Sequence, residues 1–368
     1  MKKTLKTKLV VSILATVLFF GSVATGAAFL YTRNVILNLQ KDTLLNLTLD
    51  QSQVTNKFLS NFNQISISLS EQEDVKAYLS GEQRIPQDES ILTHLNYYNV
   101  GNNFSAIYIM DMSGQTLVST DPSFVGHNYS FRDYFKNAIT GKNSMDVALG
   151  VTSKKLGYYF SSPVMDNGKI LGVVVVKVKP ESVDNTLQIA DKTEESHIML
   201  VDKYGIIVYT DKEERFLKSL GVLSEKDLLE IKDKKRYEGL DISAIQYDQV
   251  KESLANLEGV QLLNIYDTYD KEEEIIGMVK VGQWPLYIIV EQGANVYTGA
   301  AFNVAYILAL VVILSALISS LIIFILIDNF VKPIVKLRDA SKKVTAGDLS
   351  ARVEVSTGDE FEIGRAHV

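Results

Sequence analysis

Two long stretches without a charged side chain, one toward each end, constrain this chain more than any other feature. The first runs from Leu9 to Thr32, and the second from Gln292 to Ile327 with its most apolar part from Ala300 onward. Each is as long as the roughly 20 residues a helix needs to cross a hydrocarbon core about 30 Å thick. Inside lipid a segment must satisfy its own backbone N–H and C=O groups, so both stretches predict transmembrane helices in contact with a bilayer. Lys2, Lys3, Lys6 and Lys8 precede the first, while Lys332, Lys336, Arg338, Lys342 and Lys343 follow the second. Positive flanks stay on the cytoplasmic side. The expected layout is a cytoplasmic start at 1–8, spans at 9–31 and 300–327, and an extracytoplasmic domain at 33–298, all at the cell membrane. A cleaved signal peptide ending near Ala24 to Ala27 is the rival reading of the first span. It is disfavoured because the apolar run continues to Tyr31 and flows into a helical pattern.

The composition narrows the function classes. A net charge of −7 argues against a nucleic-acid partner. With no cysteine and only four histidines there is no thiolate chemistry and no local metal-ligand pair. Neither GxSxG nor HExxH occurs. No catalytic residue, metal or cofactor is therefore expected in these residues, and a membrane-anchored enzyme acting outside the cell is disfavoured. A non-sensing structural or adhesion protein remains as an alternative to a binding protein.

The outer segment opens with apolar residues at helical spacing: Val54, Phe58, Phe62, Ile65 and Leu69, extended toward the membrane by Leu37, Leu44 and Leu47. They predict a stalk helix, packed either on its own domain or on a second copy. An internal repeat follows. Residues 105–121 read SAIYIMDMSGQTLVSTD and residues 196–211 read SHIMLVDKYGIIVYTD. In both, an apolar run ends in Asp (Asp111, Asp202), Gly follows three later (Gly114, Gly205), and a β-type run leads to Thr and Asp (Thr120 and Asp121, Thr210 and Asp211). The pattern predicts two tandem α+β modules, each opening with a hairpin. The first continues with a helix near 131–140 and strands near 145–151, 157–164 and 169–179. The second continues with polar helices over 213–258 and strands near 260–266, 274–281 and 285–291.

After the second span, Pro333 stands where a helix can restart. Ile334, Leu337, Ser341 and Val344 keep helical spacing, Gly347, Asp348 and Leu349 break it, and Asp359 and Glu360 mark a second helix start. Pro333 with Ile334, Leu337, Gly347-Asp348-Leu349 and Asp359-Glu360-Phe361 resemble a HAMP linker, here partial over 328–362. The resemblance implies a cytoplasmic effector in cis: a histidine kinase, a chemotaxis hairpin or a diguanylate cyclase. Residues 363–368 (IGRAHV) read as a translated sequencing adapter, so Arg365 and His367 are given no role.

The run Asn128 to Phe135 (NYSFRDYF) holds the most chemistry. Ser130 and Asp133 have capping-box spacing, which would start a helix ending at Gly141 and put Arg132 in its first turn. A cation disfavoured there by the helix dipole makes sense if it holds an anion. Thr152 and Ser153 place hydroxyls in a turn, followed by Tyr158, Tyr159 and Phe160. In ILGVVVVKVKP, strand alternation groups Lys177 with Val173, Val175 and Lys179, and by periodicity alone the two lysines face water. The runs YSFRDYFKNAITG, ALGVTS, GYYFSSPV and GKILGVVVVKV resemble the membrane-distal half of a double-Cache sensor domain, and more narrowly that of C4-dicarboxylate sensor histidine kinases. The resemblance implies an α+β fold, with a long N-terminal helix and two tandem PAS-like Cache modules (distal about 80–180, proximal about 190–298). Ligand carboxylates would then be held by Tyr129, Arg132, Thr152 and Lys177, with Tyr134, Ser153 and Tyr159 as secondary contacts. Double-Cache domains that bind amino acids usually carry Asp where Lys177 stands. A lysine repels an α-ammonium and attracts a second carboxylate. The sequence departs from the family's arginine-proline-tyrosine-phenylalanine run at Asp133. The expected protein is a homodimeric two-span receptor for a small organic anion, with an amino-acid or other small-molecule chemoreceptor as the alternative.

Overall fold

The computed structural model describes residues 5–81, 85, 87–99, 101–187, 196–268, 271–293 and 295–346. It divides into two compact units, one drawn from Met1–Asn38 and Tyr297–Val368, the other from Leu39–Val296.

In the first unit the apolar part of helix α1 (Leu5–Ser70) meets the C-terminal helix Asn295–Thr345. The rings of Phe29 and Phe302 meet at a tilt with centroids 5.4 Å apart, and Gly21 leaves room for Val312, which a Cβ at that position would strike. Phe19, Phe20, Ile307 and Leu321 point outward and are exposed. Both helices are long and apolar enough to cross a membrane. The C-terminal helix runs unbroken through Pro333 rather than restarting there. A proline in mid-helix removes one backbone hydrogen bond and crowds the carbonyl four residues earlier, and the helix nonetheless continues to Thr345. The segment with Gly347-Asp348-Leu349 and Asp359-Glu360-Phe361 lies outside the described residues.

The second unit is α+β. Along α1, the residues buried against the domain are Leu44, Thr48, Ser52, Thr55, Leu59, Phe62, Asn63, Ser66, Leu69 and Ser70. This differs from the stripe read off the sequence. Val54 is exposed and Phe58 and Ile65 are half-buried, because small hydroxyl residues allow the helix to approach the sheets closely. Ser66 Oγ bonds Ser162 Oγ at 2.8 Å, and Ser52 Oγ donates to the Lys280 carbonyl at 3.0 Å. Helices α2 (Glu73–Ser80) and α3 (Glu89–Tyr98) follow α1.

The first module contains β1 (Phe104–Met110), β2 (Thr116–Ser119), the short helix α4 (Asp133–Ala138), β3 (Ser144–Leu149), β4 (Leu156–Asp166) and β5 (Lys169–Val178). Its antiparallel sheet has the order β2-β1-β5-β4-β3. After α5 (Pro180–Asp184), the second module contains β6 (Ser196–Asp202), β7 (Ile207–Thr210), α6 (Glu225–Asp233), α7 (Asp248–Leu254), β8 (Val260–Asp267), β9 (Glu272–Lys280) and β10 (Leu286–Gly293). Its order, β7-β6-β10-β9-β8, repeats the first; the C-terminal helix is α8.

The paired hairpins explain the sequence repeat. Asp111 Oδ1 accepts from the backbone N–H groups of Ser113 and Gln115, and Asp202 Oδ1 accepts from those of Tyr204 and Ile206. Gly114 (φ +85°) and Gly205 (φ +81°) supply the left-handed turn residue that an L side chain rarely adopts. The expected capping box does not form. Asn128 Oδ1 takes the Ser130 N–H at 2.9 Å, the helix begins three residues later at Asp133, and Arg132 is its cap position rather than a first-turn residue.

Candidate functional site

The site lies on the face of the first sheet away from α1, enclosed by the 121–135 segment and the β3–β4 loop. Alternation correctly grouped Lys177 with Val173 and Val175, but that face is core rather than surface. Val173 and Val175 pack with Tyr108, Phe124, Tyr129 and Tyr134, and Lys177 is 0 % exposed. A strand covered on both faces carries no periodic signal for which side is wet. Lys179, one step beyond, is half-exposed and donates to Asn102 Oδ1 at 2.6 Å.

The Lys177 Nζ donates to Ser153 Oγ at 2.6 Å and sits 5.5 Å and 5.4 Å from the ring centroids of Phe124 and Tyr159. Burial pushes its pKa down to about 8; Asp121 opposes this, while Arg132 and Lys155 reinforce it. Arg132 is 2 % exposed. Its Nη2 donates to the Leu149 carbonyl at 2.8 Å, its Nη1 to the Lys234 carbonyl at 3.3 Å, and its guanidinium lies against the Phe131 ring. Among the described residues, neither Arg132 nor Lys177 has a carboxylate within ion-pair distance. The hydroxyls of Tyr129 and Thr152 bond each other at 2.7 Å, and burial raises the Tyr129 pKa. Tyr134 stacks on Tyr159 at 5.1 Å and bonds the Tyr108 hydroxyl at 2.9 Å, so it reaches the site through its ring neighbour.

Sequence reasoning missed the backbone that closes this enclosure. A Cβ on Gly150 would lie 3.0 Å from both Lys177 Nζ and Tyr159 Oη and would strike Ser153 Oγ. A Cβ on Gly157 would strike the Lys177 stem. The two glycines flanking the Thr152 to Lys155 turn were the available signal, since a glycine in a strand marks close backbone approach. Phe124 and the carbonyl of Lys234, from the other module, had no readable signal. Among the described residues, no group of three or more histidine, aspartate or glutamate side chains is placed to hold a metal ion.

The Cache domain profile of the double (dCache) type matches residues 32–301. The chain belongs to the Cache-domain family. A HAMP domain profile matches residues 325–363, so this Cache domain is followed by a HAMP linker. The C4-dicarboxylate transport sensor protein DctB of Pseudomonas aeruginosa is 33% identical over 112 residues, covering 29% of this chain and 18% of the relative. DctB of Rhizobium meliloti is 33% identical over 110 residues, covering 29% and 17%. The match thus spans less than a fifth of these relatives' length. Among solved structures, the sensor domain of the Vibrio cholerae histidine kinase DctB superposes with TM-score 0.52 at 23% identity, over 69% of this chain and 98% of that one. The extracellular domain of the putative histidine kinase rpHK1S-Z16 superposes with TM-score 0.50 at 14% identity, over 70% and 96%. These likenesses bear on the fold. The Cache protein carries a sensor domain and a linker, neither of them catalytic.

The second module of this Cache protein has an internal cluster at the equivalent place. The repeat spacing of 91 residues makes Ala106 equivalent to His197, and their cross-strand partners are Lys177 and Glu291. Glu291 therefore stands where Lys177 stands. It accepts from Arg215 Nη1 at 2.8 Å and pairs with Lys212 at 3.0 Å, while Arg215 Nη2 pairs with Asp267 at 2.8 Å. Tyr247 Oη lies 2.8 Å from Asp267 Oδ2 and 2.9 Å from Glu274 Oε2. Burial, aided by Glu291, pushes the Glu274 pKa up to about 8.

Proposed function

We propose that this protein is a homodimeric two-span receptor whose outer domain binds a small organic dianion of the C4-dicarboxylate class. One observation carries the reading: Arg132 and Lys177 are both buried in one enclosure without a carboxylate partner among the described residues. A buried cation is costly unless it is paired, and a protein ordinarily supplies the counter-ion itself. A ligand with two carboxylates supplies one for each cation, and the hydroxyls of Tyr129, Thr152 and Ser153 are donors for the remaining oxygens. An α-amino acid would instead set its ammonium against a lysine. The curated relatives are C4-dicarboxylate transport sensor proteins, which supports the same ligand class.

In this reading both chain ends lie in the cytoplasm, and α8 carries the signal across the membrane into the HAMP linker and an effector in cis. Ligand acts by binding one arrangement of the dimer better than another, since only differential affinity moves an equilibrium. Helix shifts of about 1–2 Å are typical of such transitions.

The test is calorimetric titration of the full chain in lipid nanodiscs with succinate, malate, alanine and the uncharged succinamide. Succinate and malate are expected to saturate a site, and succinamide is not. Arg132→Ala and Lys177→Ala each weaken succinate binding by roughly thirty-fold or more, the usual consequence of removing one partner of a buried charge pair. Unchanged affinity in both variants overturns the site assignment.

A further inference from the structure

The residue that departs from the family pattern, Asp133, reaches across to the second module. Its carboxylate pairs with Lys234 Nζ at 2.9 Å, with Arg236 Nη2 at 3.5 Å and with Lys203 Nζ at 3.7 Å. Lys234 to Arg236 form a tight loop after α6, with Lys235 in the left-handed region (φ +46°) and its Nζ over the Phe131 ring. The same loop is bonded to the wall of the candidate site. The Lys234 carbonyl accepts from Arg132, the Arg236 carbonyl accepts from the Leu149 N–H at 2.8 Å, and the Arg236 guanidinium pairs with Asp146 and donates to the Val147 carbonyl at 2.8 Å. Arg236 is 4 % exposed, so these bonds are made out of water, where they are strongest. The next residue, Tyr237, donates to Asp202 Oδ2 at 2.8 Å. Asp202 is the turn aspartate of the second sheet and pairs in register with Leu286, the first residue of β10.

We infer that the 234–236 loop of the second module is a wall of the ligand site in the first, with Asp133 as the positioning residue that anchors it and so aims Arg132. Arg132 contacts the ligand; Asp133 and Lys234 act through it. The guanidinium is oriented by two carbonyls, one from each module, so ligand that draws Arg132 toward itself also pulls on Lys234 and Tyr237. Networks of hydrogen bonds and ion pairs between packed elements can carry coupling of this kind, and the bonded path here runs from Arg132 through 234–237 to Asp202 and the start of β10. The inference rests on the reading of Arg132 as a ligand contact.

The full chain in nanodiscs carries the test, with succinate as the probe. Asp133→Asn and Lys234→Met are each expected to weaken succinate binding about ten-fold, and the double variant is expected to bind no worse than either single one, because they remove the same anchor. Asp133→Glu retains the carboxylate and restores most of the affinity. Succinate should also slow hydrogen exchange at the Leu149 amide in the unsubstituted chain and not in Asp133→Asn. If Asp133→Asn and Lys234→Met bind succinate as the parent does, or only lower the thermal midpoint, the wall is overturned while the reading of the site stands. If the parent chain binds no succinate, the reading fails and the inference with it.

Discussion

The two modules share strand order and register, yet treat buried charge in opposite ways. In the second, Arg215 and Lys212 face Glu291 and Asp267, with Tyr247 satisfying what remains, so the protein is its own counter-ion. In the first, Lys177 occupies the register position of Glu291, and Phe124 ends the short 3-10 helix that Arg215 ends in the second. Among the described residues, Lys177 and Arg132 have hydroxyl, carbonyl and ring-face neighbours but no carboxylate within ion-pair distance. Among the described residues, the second core pairs these cations with carboxylates of the chain and the first does not. In the proposed reading, two copies of one fold thus differ in whether the buried charge is settled by the chain or by a bound ligand.

That contrast can be broken most severely at Arg215. Removing one member of a buried ion cluster leaves charges unpaired, so Arg215→Ala is expected to lower stability by about 3–5 kcal/mol, read from denaturant unfolding. Lys177→Met should do the reverse. It keeps the apolar stem and deletes an unpaired charge, so stability holds or rises while succinate affinity falls roughly thirty-fold or more. If Lys177→Met unfolds the protein as Arg215→Ala does, the two cores are of one kind and the comparison fails.

Smaller effects sharpen it. Gly150→Ala would push its methyl into Ser153 Oγ and against Lys177 Nζ, and titration should show roughly ten-fold weaker succinate binding from one lost donor. The pH dependence of stability should differ in sign between the modules. Glu274 has a folded pKa raised to about 8 from the ordinary 4.5, so its contribution is full below 4.5 and is lost as pH rises to 8. Lys177 has a folded pKa lowered to about 8 from 10.5, so its contribution is full above 10.5 and is lost as pH falls to 8. Unfolding measured across this range should show the acid-side slope flattened by Glu274→Gln and the alkaline slope flattened by Lys177→Met. Last, Tyr129→Phe removes one neutral hydroxyl and should weaken binding only a few-fold, by about 1 kcal/mol.

Much of this was legible in the chain. The two helices long and apolar enough to cross a membrane, the hairpin repeat from Asp111 and Asp202, and the strands of both sheets follow from hydropathy, turn chemistry and alternation. The residues Tyr129, Arg132, Thr152 and Lys177 came from family resemblance, and the structure brings them to one enclosure. What was misread has a common cause: local patterns do not register what covers them. Alternation grouped Lys177 correctly but could not tell that its face is core. Helical spacing found α1 but chose Val54 over Thr48 and Ser52, since close packing against a sheet favours small hydroxyl residues. The capping box was lost to Asn128, a nearer acceptor for the Ser130 N–H. Asp133 read as a departure from the family run, and its partners Lys203, Lys234 and Arg236 lie far along the chain in the second module.

Proton uptake on ligand binding probes the unpaired lysine directly. At pH 8 Lys177 is about half protonated, and a carboxylate placed beside its Nζ draws the remaining protons onto it. Succinate titrated into the full chain in two buffers of different ionisation enthalpy should show uptake of about half a proton per ligand, vanishing near pH 6 and absent in Lys177→Met. Succinate that binds with no proton uptake at pH 8, or with the same uptake in Lys177→Met, would contradict the pairing of a ligand carboxylate with this buried ammonium.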